Sequence, residues 1–323
     1  MHRAPKRHIL DFEQPLVALE DKIAELKQLA IVQNVPADDE VKRLTEKADK
    51  LRNEIFSKLT AWEQVQLARH PLRPYTLDYV TAFATDFVEL HGDRTFADDP
   101  AIVGGFMTIN DLRVMMIGQQ KGRDTRENIR RNFGMPHPEG YRKANRLMRM
   151  AEKFKLPIVT MIDTPGAYPG LGAEERGQAQ AIAENLKLMS ALRVPIISVV
   201  IGEGGSGGAL ALGVSDRILM LQNAVYSVIT PEGCAAILWK DATQRERAAE
   251  ALKMTATDLL HYKVIDEIIP EPLGGAHQDA EAAGESLRTT LARNVAELRK
   301  VRPEKLVRRR ADKYGAMGAY SEV

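Results

Sequence analysis

The chain has 323 residues with 45 basic and 44 acidic side chains, a formal net charge of +1, so no overall field draws it to nucleic acid or an acidic membrane surface. Its single cysteine, Cys234, excludes an internal disulfide and any cysteine-rich zinc site, and fits a reducing compartment, the cytoplasm. This length accommodates one large domain or two ordinary ones around a substantial core.

The first residues, Met1 to His8, are basic, but Ile9-Leu10 is followed at once by Asp11 and Glu13, which leaves no apolar stretch for a signal peptide. From Leu16 the apolar positions Leu16, Leu19, Ile23, Leu26 and Ala30 step by three and four, the spacing of a helix with one adhesive seam. After the turn-rich break Asn34-Val35-Pro36-Ala37-Asp38-Asp39 the spacing resumes as Val41, Leu44, Ala48, Leu51, Ile55 and Leu59. The two seams predict an antiparallel helical hairpin, which packs on its own domain or docks a second subunit. Pro71 and Pro74 mark its exit, and an α/β texture follows.

Val103 to Ile109 and Leu112 to Ile117 flank Asn110-Asp111 and read as two strands joined by a tight hairpin. A basic loop leads to a helix from Tyr141 to Phe154, which Pro157 stops before the strand Ile158 to Ile162. A long helix from about Glu174 to Leu192 then leads to the strand Ile196 to Ile201, which ends in a glycine loop and a helix. The most apolar segment, Val194 to Ile201, is too short to span a bilayer and reads as a buried strand. Strands follow at Arg217 to Leu221 and Val225 to Val228, with helices at Gly233 to Leu238 and Arg245 to Met254, and Val264 to Ile269 closes the core. Gly274-Gly275-Ala276 reads as a flexible connection to C-terminal helices with thin apolar faces. The chain thus divides into a hairpin extension, 1–75, a core, 76–272, and a C-terminal helical segment, 273–323.

The run Gly202-Glu203-Gly204-Gly205-Ser206-Gly207-Gly208 satisfies three patterns. Gly202, Gly204 and Gly207 match G-x-G-x-x-G after a strand, a dinucleotide signature, but the next strand ends at Leu221-Gln222 without the acidic group that holds a ribose. Gly204 to Gly208 match G-x-S-x-G, a nucleophile elbow, for which Asp241 or Asp258 with His261 or His277 keep the required order. Asp163-Thr164-Pro165-Gly166 resembles a GTPase switch, yet no phosphate-binding G-x-x-x-x-G-K-[ST] occurs in the chain. A third reading is physical. Both loops put small residues at the C-terminal end of a buried strand, where backbone N–H groups are free to face one anion. Tight helix–strand packing explains one or two glycines, and close approach of a ligand explains a longer run beside Gly166, Gly170 and Gly172.

The wording becomes specific at His91-Gly92-Asp93-Arg94, Gln120 to Thr125, Asn132 to Pro136, Pro138 to Ala144, Ile162 to Gly170 and Tyr226 to Cys234. These motifs, nearly end to end, resemble the carboxyltransferase alpha subunits of bacterial acetyl-CoA carboxylase. The resemblance implies an α/β, crotonase-like fold of repeated ββα units and transfer of a carboxyl group from carboxybiotin to acetyl-CoA, giving malonyl-CoA, the first committed step of fatty acid synthesis. It further implies an alpha2beta2 assembly, active only with a beta subunit that carries the zinc and holds most of the acetyl-CoA. Biotin would arrive on a separate biotin carboxyl carrier protein, since no Met-Lys-Met site is present, and ATP would be used only by the separate biotin carboxylase. No metal on this chain and no membrane contact are expected.

On this resemblance the oxyanion donors are backbone amides of Gly166, Ala167, Gly205, Gly207 and Gly208, with Gly204, Gly205, Ser206, Tyr168 and Gly170 lining the carboxybiotin pocket. Two fixed N–H groups would stabilise charge developing on the ureido oxygen. Glu203 would oppose that charge unless it faced a cation, so it is expected to turn to an arginine. Lys121, Arg123, Arg126, Arg130 and Arg131 read either as a solvated or interface cluster or as contacts to a phosphate or to the carrier. Thr230-Pro231-Glu232 reads as a helix start, and Cys234, His91 and His137 as structural, without a partner at ligand or dyad spacing.

Overall fold

The computed structural model describes residues 8–33 and 38–318; the basic start and most of the break between the seamed helices lie outside the described residues. Helices α1 (Gln14–Gln33) and α2 (Asp38–Ser57) carry the two seams, and Leu16, Ile23, Leu44 and Ala48 are buried between them. Helix α3 (Ala61–Ala68) starts at a capping box in which Thr60 and Glu63 satisfy each other's backbone N–H groups. Helix α4 (Thr76–Phe83) follows, with Thr76, Tyr79, Val80 and Phe83 buried.

The edge strand β1 (Phe87–Glu89) pairs with β2 (Ile102–Ile109), which pairs antiparallel with β3 (Leu112–Gln119). Asn110 and Asp111 between them have φ of 45° and 63°, the two left-handed residues that a tight hairpin turn demands and that Asn and Asp tolerate. Helices α5 (Thr125–Arg130) and α6 (Pro138–Lys153) lead to β4 (Ile158–Thr164). The single long helix expected from Glu174 to Leu192 is instead two, α7 (Leu171–Glu175) and α8 (Gln178–Ala191). Gly177 separates them at φ 81°, a left-handed conformation that ends one helix and starts the next.

The remaining elements are β5 (Ile196–Gly205), α9 (Ser206–Leu210), β6 (Arg217–Leu221), β7 (Val225–Ser227), α10 (Pro231–Trp239), α11 (Arg245–Leu252), α12 (Ala256–His261), β8 (Glu267–Ile269), α13 (Ala280–Leu298) and α14 (Pro303–Gly315). One sheet runs in the order β1-β2-β3-β4-β5-β6-β8, with β7 paired to the end of β5. From β3 onward all neighbours are parallel. Every residue of β4 and β5 is buried, because helices cover both faces, as parallel sheets require.

Two C-terminal expectations need correction. The Gly274-Gly275-Ala276 segment is pinned: Ala276 is buried and donates its N–H to Glu271 Oε2 at 2.8 Å. Helix α13 is well covered, burying Leu287, Leu291, Val295 and Leu298 against the sheet. Arg310 of α14, 1% exposed, donates to the carbonyls of Met189, Leu192 and Val194 at 2.5, 2.9 and 3.2 Å and pairs with Asp216 at 2.8 Å. It thereby satisfies carbonyls at the end of α8 that no helical N–H reaches.

Candidate active site

The glycine run is not a loop. Strand β5 continues through Gly202, Glu203, Gly204 and Gly205 because β7 pairs with it there, Glu203 opposite Val225, Gly204 opposite Tyr226 and Gly205 opposite Ser227. Helix α9 then begins at Ser206, whose φ of 54° makes the strand-to-helix turn in a single residue. The neighbouring strand β4 ends at Thr164, and its turn runs through Pro165, Gly166 and Ala167 beside the start of α9.

Cβ geometry sorts the glycines. A Cβ on Gly205 would lie 2.2 Å from the Pro165 carbonyl oxygen, and one on Gly208 would lie 2.5 Å from Ala167 N. Gly202 faces the Asp163 carboxylate at 2.6 Å and Gly204 the Tyr226 ring at 2.9 Å. These four are required for the chain to pack on itself. Gly207 and Gly166 differ: the nearest atom to a Cβ on Gly207 is Ile182 Cδ1 at 3.8 Å, and a Cβ on Gly166 meets nothing within 4 Å. Gly170 makes room for the Tyr168 ring, whose Cε1 would be 2.3 Å from a Cβ, and that ring lies 4.1 Å from His137.

The backbone donors sort as well. Gly166 gives its N–H to Thr164 Oγ1 at 3.1 Å, and Tyr168 gives its N–H to the Pro136 carbonyl at 3.0 Å. Between them Ala167 N–H has no acceptor among the described residues. Ser206, Gly207 and Gly208 are the first three residues of α9, where N–H groups have no intrahelical acceptor. An open apolar cleft of ≈ 350 Å³ adjoins Ser206 and Gly207, lined by Leu210, Tyr226, Val228, Leu252, Leu259 and Val264.

Glu203 turns away from these donors. Its Oε1 accepts from Arg69 Nε at 2.9 Å and Nη2 at 2.6 Å, and Arg69 Nη1 also reaches Glu232 at 2.6 Å. Burial works against the charge on Glu232, but the hydrogen bond from Arg69, that from its own backbone N–H and the charges of Arg69 and Arg245 together outweigh it and hold the carboxyl below its ordinary pKa. Beneath the turns Lys121 Nζ meets Asp163 Oδ1 at 2.6 Å, and the same oxygen accepts Glu203 N–H at 3.0 Å. Burial opposes the Lys121 charge as well, yet the carboxylates of Asp163 and Glu203 raise its pKa, so the ammonium persists. Arg73, 1% exposed, donates to the Ile201 carbonyl at 2.8 Å and pairs with Glu271 at 2.6 Å directly behind the strand.

The basic cluster divides. Lys121 is committed to Asp163, and Arg131 bonds Glu127 and the Pro100 carbonyl. Arg123 stacks on Tyr75 and bonds Asp78 and the carbonyls of Pro71 and Arg73. Arg126 and Arg130 are exposed on α5. Thr230 caps α10 with Pro231 at its first position, as a helix start should. Cys234 is buried with Ala235 and Ala248. His91, contrary to expectation, does have a carboxylate at dyad spacing, Asp98 at 3.2 Å, but its side chain is 62% exposed and Asp98 is also bonded to Lys143.

The rival chemistries lack their parts. Ser206 Oγ has no hydrogen-bond partner among the described residues, while Asp241 bonds Thr243, Asp258 bonds Thr255 and His277 stacks on His70. Helix α9 has only 5 residues, too short for the dinucleotide-binding arrangement. No group of three or more His, Cys, Asp or Glu among the described residues could hold a metal ion, and no helix among them is long and apolar enough to cross a membrane. Sequence patterns miss Gln119, Arg69 and Arg73: Gln119 ends an apolar strand, and both arginines lie far from the glycines in sequence, so only the folded contacts mark them.

Known proteins are similar to this sequence and share this fold. Residues 9–318 match the family described as acetyl co-enzyme A carboxylase carboxyltransferase-like. The acetyl-coenzyme A carboxylase carboxyl transferase subunit alpha of Geobacter metallireducens is 59% identical over 313 residues, covering 97% of this chain and 98% of that protein. The subunit of the same name from Thermus thermophilus is 54% identical, with 97% and 99% covered. Among solved structures, a Pseudomonas malonate decarboxylase hetero-tetramer in complex with coenzyme A has a TM-score of 0.59 at 17% identity, over 74% of this chain and 94% of that one. The transcarboxylase 12S hexamer core has a TM-score of 0.57 at 19% identity over 70% of this chain, which spans only 41% of the transcarboxylase chain. These two show the fold, which is crotonase-like. With its family matched over nearly its whole length, the chain belongs to the acetyl-CoA carboxylase carboxyltransferases, as a carboxyl transferase subunit of the alpha type.

Proposed function

We propose that this alpha-type subunit binds carboxybiotin at the paired turns and works only with a separate beta subunit, in an alpha2beta2 assembly that passes the carboxyl group to acetyl-CoA. The observation that carries it is the contrast among the glycines: Gly205 and Gly208 lock the turns together, while Gly166 and Gly207 leave open space beside free amides. When bound, carboxybiotin supplies the carboxyl group and leaves negative charge on its ureido oxygen. Ala167 N–H from the first turn and the N–H groups of Gly207 and Gly208 from the second are held to face that charge, while Gly205 packs against the Pro165 carbonyl and Gly166 spends its N–H on Thr164 Oγ1 rather than serving as donors. Such a preorganised donor is typically worth about 3 kcal/mol in the transition state. No charged side chain of this chain is needed at the reacting atoms, because Glu203 is neutralised by Arg69.

The chain's residues also fit the group sterically. Ser206, Gly207 and the apolar cleft between Leu210 and Val264 suit its uncharged ring and alkyl arm, whereas Gly204 is filled by the Tyr226 ring and Gly170 by that of Tyr168. Val228 of the cleft is 76% exposed, and Ile237 and Leu238 of α10 are 71% and 64% exposed, apolar surface suited to the beta subunit, which would hold acetyl-CoA. The biotin carrier and the ATP-using biotin carboxylase remain separate proteins in this scheme, with no metal on this chain and a cytoplasmic setting. The functional division is the hairpin extension 1–75, the core 76–272 and the helical segment 273–323, with Arg69 and Arg73 of the first serving the core.

Purified chain should form no malonyl-CoA alone and should do so once mixed with the beta subunit and carboxylated biotin carrier. Gly207→Val, which has room in the folded chain, should assemble normally and lose transfer; full activity in that variant sinks the assignment. Esterase activity of the isolated chain, abolished by Ser206→Ala, would favour a hydrolase instead.

A further inference from the structure

We infer that Gln119 is a positioning residue that sets the separation of the two donor turns, an inference that rests on the oxyanion function proposed above. Gln119 ends β3 at the centre of the sheet, fully buried, and its own carbonyl accepts a hydrogen bond from Thr76 Oγ1 at 2.6 Å. Its side chain spans the two turns. Oε1 accepts the N–H of Asp163 at 3.0 Å, just upstream of the first turn, and Nε2 donates to the Gly208 carbonyl at 2.8 Å in the second. The amide orientation is dictated by these partners, since an N–H must meet the oxygen and a carbonyl must meet the nitrogen.

Two opposed constraints follow. The contact of Gly208 with Ala167, 2.5 Å from where a Cβ would stand, prevents the turns from coming closer. The Gln119 amide prevents them from separating. Asp163 adds a second tie by accepting Glu203 N–H at 3.0 Å, but on the strand before the turn rather than at α9. An apolar side chain at 119 would fill the same volume and leave a buried donor and a buried acceptor unpaired, with nothing holding Gly208 toward β4. Gln119 touches no substrate; it acts through the positions of Ala167 and Gly207.

The test uses the alpha chain assembled with its beta subunit and biotin carrier. Gln119→Leu should lower kcat about 10- to 100-fold, the cost of a misplacement of up to about 1 Å, with KM for the biotin substrate within about threefold of wild type. Gln119→Glu supplies the readout that a merely structural role would not move. As a neutral acid it can accept from Asp163 and donate an O–H to Gly208; ionised, it cannot donate. Burial and the Asp163 carboxylate favour the neutral acid, and the Lys121 ammonium opposes them. The ratio of its turnover to wild type should therefore be near one at about pH 6 and fall toward about pH 9, as ionisation removes the donor to the Gly208 carbonyl. A ratio that is flat over that range, a Leu variant with wild-type kcat, or a defect confined to KM overturns the inference. If the Leu variant does not fold, the Glu variant carries the test alone. Gly207→Val separates the two levels: activity in that variant removes the oxyanion function itself, whereas its loss beside wild-type behaviour of both Gln119 variants removes only the positioning role.

Discussion

Gly208→Ala and Gly207→Ala change neighbouring residues by the same methyl group and should do opposite things to the fold. At 208 the new Cβ would stand 2.5 Å from both Ala167 N and Gly166 C, backbone atoms that cannot rotate aside. The turns must retreat by about 1 Å to reach ordinary contact, an overpacking cost of about 1–3 kcal/mol. For a chain of this size that lowers Tm by about 1.5–4.5 °C. The same retreat displaces Ala167 from α9, and a misplacement of that size lowers turnover about 100-fold. At 207 the nearest atom is 3.8 Å away, φ lies outside the left-handed region, and alanine suits a helix better than glycine by up to about 1 kcal/mol. Gly207→Ala should melt at or slightly above wild type while still losing turnover, because its methyl occupies the open space beside the donors. Circular dichroism melts of the chain and malonyl-CoA formation by the reconstituted complex read the two quantities separately. If Gly208→Ala melts with wild type, or Gly207→Ala melts well below it, the sorting of packed from open glycines is wrong.

Arg69→Leu leaves Glu203, 8% exposed, without its cation; with Arg69 partly solvated the loss should be about 1–3 kcal/mol in urea unfolding, and Glu203→Gln should cost less because an amide oxygen still accepts. Ser206→Gly should keep turnover and melt no lower than wild type, since a left-handed serine carries about 1 kcal/mol of strain, whereas Ser206→Val should melt lower. Acidification should destabilise the chain in two stages measured by Tm against pH. Burial pushes His277 down to about 4, so its contribution is present above the ordinary value of about 6.5 and is lost as pH falls toward the folded value; His277→Gln should flatten this stage. Although burial opposes ionisation of Glu271, Arg73 holds its pKa below the ordinary carboxylate value, so its contribution is present above about 4.3 and is lost at lower pH. Glu271→Gln should flatten that stage.

Much of the fold is written in short-range pattern. The hairpin seams at Leu16 and Leu44, the Asn110-Asp111 turn and the apolar strands β4 and β6 all follow from periodicity and turn chemistry, which neighbouring residues decide. What the pattern misses depends on distant partners. Helix α3 is held by α11, β5 and β7, and no long apolar period announces it. The Gly274-Gly275-Ala276 segment carries the composition of a linker, yet Glu271, fixed by Arg73, takes the Ala276 N–H and makes it rigid. Helix α13 looks thin in apolar residues because part of its contact is made by small ones: a Cβ on Gly284 would sit 3.4 Å from Ala82, so the helix lies close on α4.

The site was legible in a more limited way, and the reason lies in glycine itself. A glycine records that a Cβ is not tolerated or not needed; it does not record what occupies the space. Three motifs fitted Gly202 to Gly208 because each asks only for missing side chains at particular steps. The folded chain answers position by position. Gly202, Gly204, Gly205 and Gly208 are filled by Asp163, Tyr226, Pro165 and Ala167 of the same chain, and only Gly207, with Gly166 opposite, opens outward. The charge argument at Glu203 succeeded without a structure because a carboxylate beside an anion site needs a cation wherever it comes from, although nothing local names Arg69 as that cation. Gln119 had no such signature. An uncharged amide at the end of an apolar strand becomes informative only once Asp163 N–H and the Gly208 carbonyl stand at its two ends, and it is there that the separation of the donor turns is decided.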